Sequence, residues 1–370
     1  MRRYQVEKLK EDTRQYYLIR DTESFAIVRE PSKYLMFRTR TGLSPNTVRQ
    51  EARSLSFYLN FLEEEQTDIS GILLLSYDRQ FTHFSEYLQY LKAGRHSEKG
   101  AVPKNATCNA YLAAVFRYCR FLKDTGISTE LPKVLLERSV SFTTPYGRRM
   151  YEKYLTFPGY LRKEYSQGKS TKRDKILTLL SACTNMRDRL LLLFMAETGF
   201  RIGEILGIRL SKDVDLSGKK VRVRFRSDNT NEARAKNAEE RIAMISDVTA
   251  GVLAVYLSEY APLLEKQDYL FILLSGKNKG QPLGAGAVYA MLNYLEAKTG
   301  IAVTPHILRH YFANERRKDG WGIELISKAL GHRNLATTEK YLHVENEEFS
   351  DASRAYFEKN RIDLDIGALL

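Results

Sequence analysis

The stretch LGHRNLATTEKYLH, residues 330–343, places His332 nine positions before Tyr341 in a short polar segment. A tyrosine in such a setting can pack or, once deprotonated, attack an electrophile. Taken alone, the stretch leaves both roles open. Four of the six histidines, His306, His310, His332 and His343, fall within 38 residues of one another, so metal binding is the first chemistry to weigh. In HILRH, His306 and His310 stand at i and i+4, a spacing that lets two imidazoles share a zinc ion. However, the motif lacks the glutamate of HExxH, has no cysteine nearby and carries a cation, Arg309, inside it. A guanidinium between two ligands opposes a metal ion, so the expectation is no metal.

The arginine suits an anion better. Thr304 and Pro305 read as the cap and first residue of a helix, which puts His306 in the first turn and Arg309 one turn later on the same face. Imidazole and guanidinium aimed together at a helix N-terminus fit an anionic oxygen, and phosphate is the obvious source. A second arginine, Arg201 in ETGFRIGE, interrupts an otherwise apolar helical run. By itself it would pass for an ordinary helix end. Breaking such a run is costly unless the residue does something, and Glu204, one turn on, could orient it.

These residues need a scaffold, and the chain has length for one. Its 370 residues suffice for two domains with separate cores, and 43% hydrophobic content is ordinary for a globular protein. Lysine and arginine number 58 against 45 acidic residues, giving a formal charge of +13. That excess points to a polyanionic partner, either nucleic acid or an anionic membrane surface. Cys108, Cys119 and Cys183 show no CxxC spacing and sit in apolar helical patterns, as buried thiols of a reducing compartment would. The charged N-terminal stretch MRRYQVEKLKEDTRQ lacks the apolar core of a secretory signal, and the run LLLLFMA is too short to span a bilayer. The expectation is a soluble, cytoplasmic protein, which favours nucleic acid as the polyanion.

The patterning divides the chain into five parts. Residues 1–30 give short extended pieces with weak signals. Residues 31–140 read as a small all-helical domain: Ser44 and Pro45 open a helix with Val48, Ala52, Leu55, Leu59 and Leu62 on one face. A second helix is expected over 78–93, and a third carries Cys108, Tyr111, Val115, Cys119 and Leu122. Residues 141–171 are rich in lysine, arginine and tyrosine with little helical periodicity, and read as a basic interdomain linker able to follow a phosphate backbone. From 172 to 347 a second domain mixes helices with a small antiparallel sheet. There Arg222, Arg224 and Arg226 alternate with apolar residues and should share one sheet face, and EERIAMI supplies another strand. Residues 348–370 form a charged stretch and then an apolar tail. The fold class is therefore mainly α with a small antiparallel β-sheet.

TGFRIGEILGI, HILRH and LGHRNLATTEKYLH, in this order and at this spacing, resemble the tyrosine recombinase (phage integrase) family. The resemblance covers residues 172–347 and the helical domain before them. It implies that Arg201 and Arg309 clamp a scissile DNA phosphate, that His306 and His332 contact the same phosphate and assist proton transfer, and that Tyr341 is the nucleophile. Glu204 matches the supporting acidic position after the first arginine. The family's hairpin lysine corresponds to Lys236, five residues before the strand arginine Arg241. The resemblance also implies a C-shaped clamp on double-stranded DNA and a homo-tetramer on two duplexes with the tail packed on a neighbouring protomer. It leaves open a mobile-element integrase, a transposon recombinase or a chromosome-dimer resolvase, and the chain's length beyond the family's usual minimum leans towards a mobile element.

Elementary chemistry agrees with those roles. A tyrosine hydroxyl has a pKa near 10, so about 0.1% is ionised at neutral pH and it needs help to attack. Two guanidiniums on the nonbridging oxygens would supply preorganised charge in the transition state. A lysine ammonium could protonate the departing 5′ oxygen. The 3′-phosphotyrosine product would conserve the phosphodiester energy, in keeping with the lack of a GxxxxGK[ST] phosphate loop, and no cofactor is expected. Two rivals share part of this reading: a type IB topoisomerase, and an inactive DNA-binding regulator of the same fold.

Overall fold

The computed structural model describes residues 2–11, 14–98, 100–143, 149–162, 164, 170–226, 229–231, 233, 240–332 and 338. The chain forms two compact units, residues 1–166 and 167–370, each with its own core.

The first unit begins with an antiparallel hairpin, β1 (Tyr4–Glu11) and β2 (Arg14–Asp21), in which Val6 pairs with Ile19 and Lys8 with Tyr17. The helices α1 (Arg29–Arg40), α2 (Pro45–Glu64), α3 (Ile69–Leu74), α4 (Tyr77–Lys92) and α5 (Asn105–Asp124) follow. Ser44 caps α2 by accepting from the Thr47 N–H, and Pro45 fills the first turn, where a missing N–H costs nothing. Val48, Ala52, Leu55 and Leu62 turn inward as their spacing predicts. The apolar faces of α2, α4 and α5 enclose Tyr58, Phe84, Tyr87 and Phe116.

Polar ties inside this unit were not legible in the sequence. Glu51 of α2 is buried and accepts from the Tyr34 hydroxyl at 3.0 Å, Arg38 Nε at 2.9 Å and Arg117 Nε at 3.0 Å, so one carboxylate joins α1, α2 and α5. Asn60 clamps the backbone of Tyr4, accepting from its N–H at 3.1 Å and donating to its carbonyl at 2.9 Å.

Two expectations need correction here. Residues 1–30 are extended as expected, in β1 and β2, but they are part of the helical domain, because Tyr17 and Ile19 of β2 are buried in its core and α1 already starts at Arg29. Residues 141–171 are not simply a linker. A second hairpin, β3 (Leu136–Thr143) with β4 (Arg149–Thr156), starts inside the stretch 31–140 expected to be all-helical and runs through the first half of this segment, and Phe157 then inserts among Phe81, Phe84 and Phe116. Asn109 fixes Leu161 by accepting from its N–H at 3.0 Å and donating to its carbonyl at 2.8 Å. The alternation of Val140 and Phe142 with Ser139, Ser141 and Thr143 was the available signal, yet the described residues of the hairpin are exposed or half-exposed on both faces and form no core-facing stripe.

The second unit is built on α6 (Arg173–Ala182) and α7 (Met186–Thr198), then the short turns α8 (Ile202–Ile205) and α9 (Leu210–Asp213). Leu190, Leu191, Leu192, Phe194 and Met195 are all buried and Leu193 is half-buried, so most of the surface of α7 is covered, as its largely apolar sequence requires. A three-stranded antiparallel sheet runs in the order β5 (Val214–Asp215), β6 (Lys220–Val223) and β7 (Arg241–Met244). The helices α10 (Asp247–Glu259), α11 (Ala261–Leu264), α12 (Ala285–Thr299), α13 (Pro305–Lys318) and α14 (Ile323–Leu330) complete the unit, with α10 and α13 packed on α7.

The expected three-arginine sheet face is also corrected. β6 stops at Val223 with Val221 and Val223 buried and Arg222 exposed. Beyond it, Arg226 turns onto the buried carboxylate of Asp213, donating to both oxygens at 2.7 and 2.8 Å, and Arg224 lies 3.4 Å from the same group. A buried carboxylate needs cationic partners more than the strand needs three further residues.

Candidate active site

The first arginine sits where α7 ends. Gly199 adopts φ +63°, a left-handed cap, and an added Cβ there would overlap the Phe312 ring, so only glycine lets the chain turn this close to α13. Arg201 follows as the cap of α8. Its N–H donates to Glu204 Oε2 at 2.7 Å, and its Nη1 donates to Glu204 Oε1 at 3.0 Å. The side chain of Glu204 is buried while that of Arg201 remains 25% exposed, so the carboxylate fixes a guanidinium that still reaches solvent. The expected orienting contact is therefore present.

Arg309 comes from α13. Thr304 caps that helix by accepting from the Ile307 N–H at 3.2 Å, and Pro305 occupies the first turn. Only 2% of Arg309 is exposed. Its guanidinium donates to the carbonyls of Gly199 and, at 2.5 Å, of Leu330, and its Nη2 lies 2.9 Å from His332 Nε2. Arg201 Nη2 donates to the next carbonyl, that of Gly331, at 3.2 Å. The turn 330–332 after α14 thus gathers both arginines and His332.

The tautomer of His332 follows from its partners. A guanidinium can only donate, so Nε2 accepts from Arg309, and Nδ1 carries the hydrogen given to Thr338 Oγ1 at 2.9 Å. Burial, then Arg309, Arg201, Arg241 and His306, press the His332 pKa down to about 3, so the ring is neutral at neutral pH. His306 is exposed at the first turn of α13, and burial of part of its ring and Arg309 lower its pKa as well. Its Nε2 lies 3.3 Å from His310 Nε2, with the rings perpendicular. The pair whose spacing could suit zinc thus contacts one another, and among the described residues no group of three or more His, Cys, Asp or Glu could hold a metal.

Arg201, Glu204, His306, Arg309 and His332 are therefore brought to one place in the second unit. Lys236 and Tyr341 lie outside the described residues. Sequence reasoning missed Arg241 as a member of the cluster. From the start of β7 its Nη2 donates to Glu204 Oε2 at 2.5 Å, and its guanidinium packs over Gly331. An arginine opening a strand that is otherwise apolar was the available signal.

Among known proteins, the phage integrase family matches residues 169–348. Tyrosine recombinase XerA of Saccharolobus solfataricus is 34% identical over 303 residues, 82% of this chain and 84% of its own. The chain belongs to the phage integrase family, the tyrosine recombinases. Transposase A from transposon Tn554 of Staphylococcus aureus is 28% identical over 365 residues, covering 96% of this tyrosine recombinase and 98% of the transposase. Two solved structures share the fold. XerH recombinase bound to difH substrate aligns with a TM-score of 0.57 at 16% identity, over 84% of this chain and 80% of that one. The Tn1549 transposon integrase bound to a circular-intermediate DNA aligns at 0.56 and 16%, over 90% and 98%. No helix among the described residues of this tyrosine recombinase is long and apolar enough to cross a membrane.

Proposed function

We propose that this chain is a site-specific DNA recombinase of a mobile element, cleaving and rejoining strands through a 3′-phosphotyrosine intermediate. The observation that carries the reading is the convergence of Arg201, Arg309 and a neutral His332 on the turn 330–332, which supports a site for one phosphodiester. Arg201 and Arg309 take the nonbridging oxygens. His306 and His332 contact the same phosphate and assist proton transfer. The Tyr341 oxygen bonds to phosphorus, the bond to the 5′ oxygen breaks, and Lys236 protonates the leaving oxygen. Reversal by a new 5′-hydroxyl rejoins the strand with no external energy. A transposase alignable along almost the whole chain favours a mobile-element role over topoisomerase or inactive regulator.

The working unit is a homo-tetramer on two duplexes in the cytoplasm, with both units contacting DNA. A groove of about 1030 Å³ in the second unit supports a place for a neighbour's tail: exposed Ile242 and Met244 of β7 face Leu325 of α14 and Trp321 across it. Residues 348–370 end in the apolar RIDLDIGALL, which suits such a groove.

The test is covalent trapping on a nicked suicide duplex in buffer containing EDTA. Wild-type protein should form an adduct stable to denaturant. Tyr341→Phe, which keeps the ring and removes one oxygen, should bind the duplex and form none. An adduct in that variant moves the nucleophile elsewhere, and Tyr311 would be examined next.

A further inference from the structure

Four residues close a ring beside the proposed phosphate site. Arg241 donates to Glu204 Oε2, Glu204 Oε1 accepts from Arg201 Nη1, and Arg201 Nη2 donates to the Gly331 carbonyl. The Arg241 guanidinium closes the ring by lying against Gly331, where an added Cβ would overlap Nη1. Gly331 itself turns at φ +61°, so it is glycine for two independent reasons. The Arg241 guanidinium also stands 5.5 Å from the centre of the Phe200 ring, which makes a third wall.

The ring joins elements far apart in sequence: β7, the cap of α8 and the turn after α14. Each holds a different part of the site. The α8 cap carries Arg201, and the turn leads directly into His332. β7 begins at Arg241, five residues after Lys236. Arg241 is buried, at 9% exposure, so it is placed to act on these groups and not on substrate.

We propose that Arg241 is a positioning residue for strand cleavage: through Glu204 it sets the Arg201 guanidinium, and through its face it sets the 331–332 turn. This rests on the recombinase reading. Its planar shape matters as much as its charge. A lysine ammonium could still pair with Glu204, but it has no flat face to lie on Gly331. Displacing a reacting or charge-stabilising group by about 1 Å can slow a reaction by about 100-fold, whereas DNA affinity is spread over many phosphate contacts.

The experiment compares wild type, Arg241→Lys, Arg241→Met, Glu204→Gln and the double variant Arg241→Met with Glu204→Gln. Single-turnover cleavage of the suicide duplex, duplex affinity and the thermal unfolding midpoint are measured for each. Arg241→Lys should cleave about 100-fold more slowly with affinity within about twofold of wild type. The double variant should be no slower than the worse single variant, because both act through one contact. A merely structural role would instead give losses that follow the unfolding midpoint and multiply in the double variant, and that overturns the proposal. Wild-type cleavage by Arg241→Lys also overturns it. If Arg241→Met does not fold, the same comparison is made with Arg241→Lys and Glu204→Gln. Failure of wild type itself to form the adduct is a different result and removes the recombinase reading beneath it.

Discussion

Arg201 and Arg309 donate to consecutive carbonyls of one turn, those of Gly331 and Leu330. Two arginines 108 positions apart in the chain are thus brought to a common site by a backbone segment that belongs to neither of their helices.

That arrangement separates catalysis from binding. Arg201→Ala and Arg309→Ala should each lower cleavage by about 100-fold or more, the scale expected when preorganised charge on a transition state is lost. Duplex affinity in a gel-shift titration should change little, since on the proposed reading it is spread over many other lysines and arginines. Either variant cleaving at the wild-type rate would remove that arginine from the clamp.

The role of Lys236 is separable by substrate chemistry. A 5′-bridging phosphorothioate leaves as a thiolate and needs little protonation. Lys236→Ala should be severely slowed on ordinary DNA and restored on the sulfur substrate, whereas Arg201→Ala should gain nothing. Without rescue the acid lies elsewhere, and Lys219, just before β6, and Lys220, its first residue, become the residues to test.

His332 predicts a pH dependence of folding. Its pKa in the folded protein is about 3, below the ordinary value of 6.5, so the unfolded chain takes up the proton first as pH falls. The stability it contributes is present above about 6.5 and is lost progressively towards 3. Trp321, the single tryptophan, belongs to the same unit and offers a fluorescence probe. Its urea midpoint should fall across this window, and His332→Gln should make the fall shallower. The slope should not vanish, because His306 is shifted the same way, and His83, pressed to about 4 by burial, acts in the first unit. An unchanged slope in His332→Gln would contradict the assignment of a neutral, buried ring.

Glu51 tests the first unit. Glu51→Ala removes the carboxylate shared by Tyr34, Arg38 and Arg117 and should cost about 3 kcal/mol, as for other broken buried pairs. Glu51→Gln should cost less, since an amide oxygen still accepts. The measurement is urea unfolding by circular dichroism, where the helices of this unit contribute. A midpoint equal to wild type for Glu51→Ala would show the three contacts to be worth nothing net.

Local signals in the sequence were read well, and distant ones poorly. Ser44–Pro45 and Thr304–Pro305 begin helices because a cap and a proline act on their own first turn. The pairing of Arg201 with Glu204 is equally local, three residues apart, and so was legible. Arg241 and Glu204 are 37 apart, Arg117 and Glu51 are 66 apart, and no periodicity reports such meetings. The hairpin of β3 and β4 failed for another reason: with both faces exposed, its composition looked like that of a connector. Arg224 and Arg226 misled because strand alternation was extended three residues too far, to where Asp213 draws both arginines in.

The Asn60 clamp on Tyr4 bears on how the protein can be shortened. Residues 4–21 have the charge-rich look of dispensable leader sequence, yet their backbone is tied to α2 and their side chains Tyr17 and Ile19 lie beneath the surface. Trimming to the first helix would uncover the flanks of α1 and α2 and forfeit about 1.5–3 kcal/mol for each large apolar side chain lost from the core. A minimal fragment for expression should therefore keep the hairpin, and an affinity tag is better placed ahead of Tyr4 than in exchange for it.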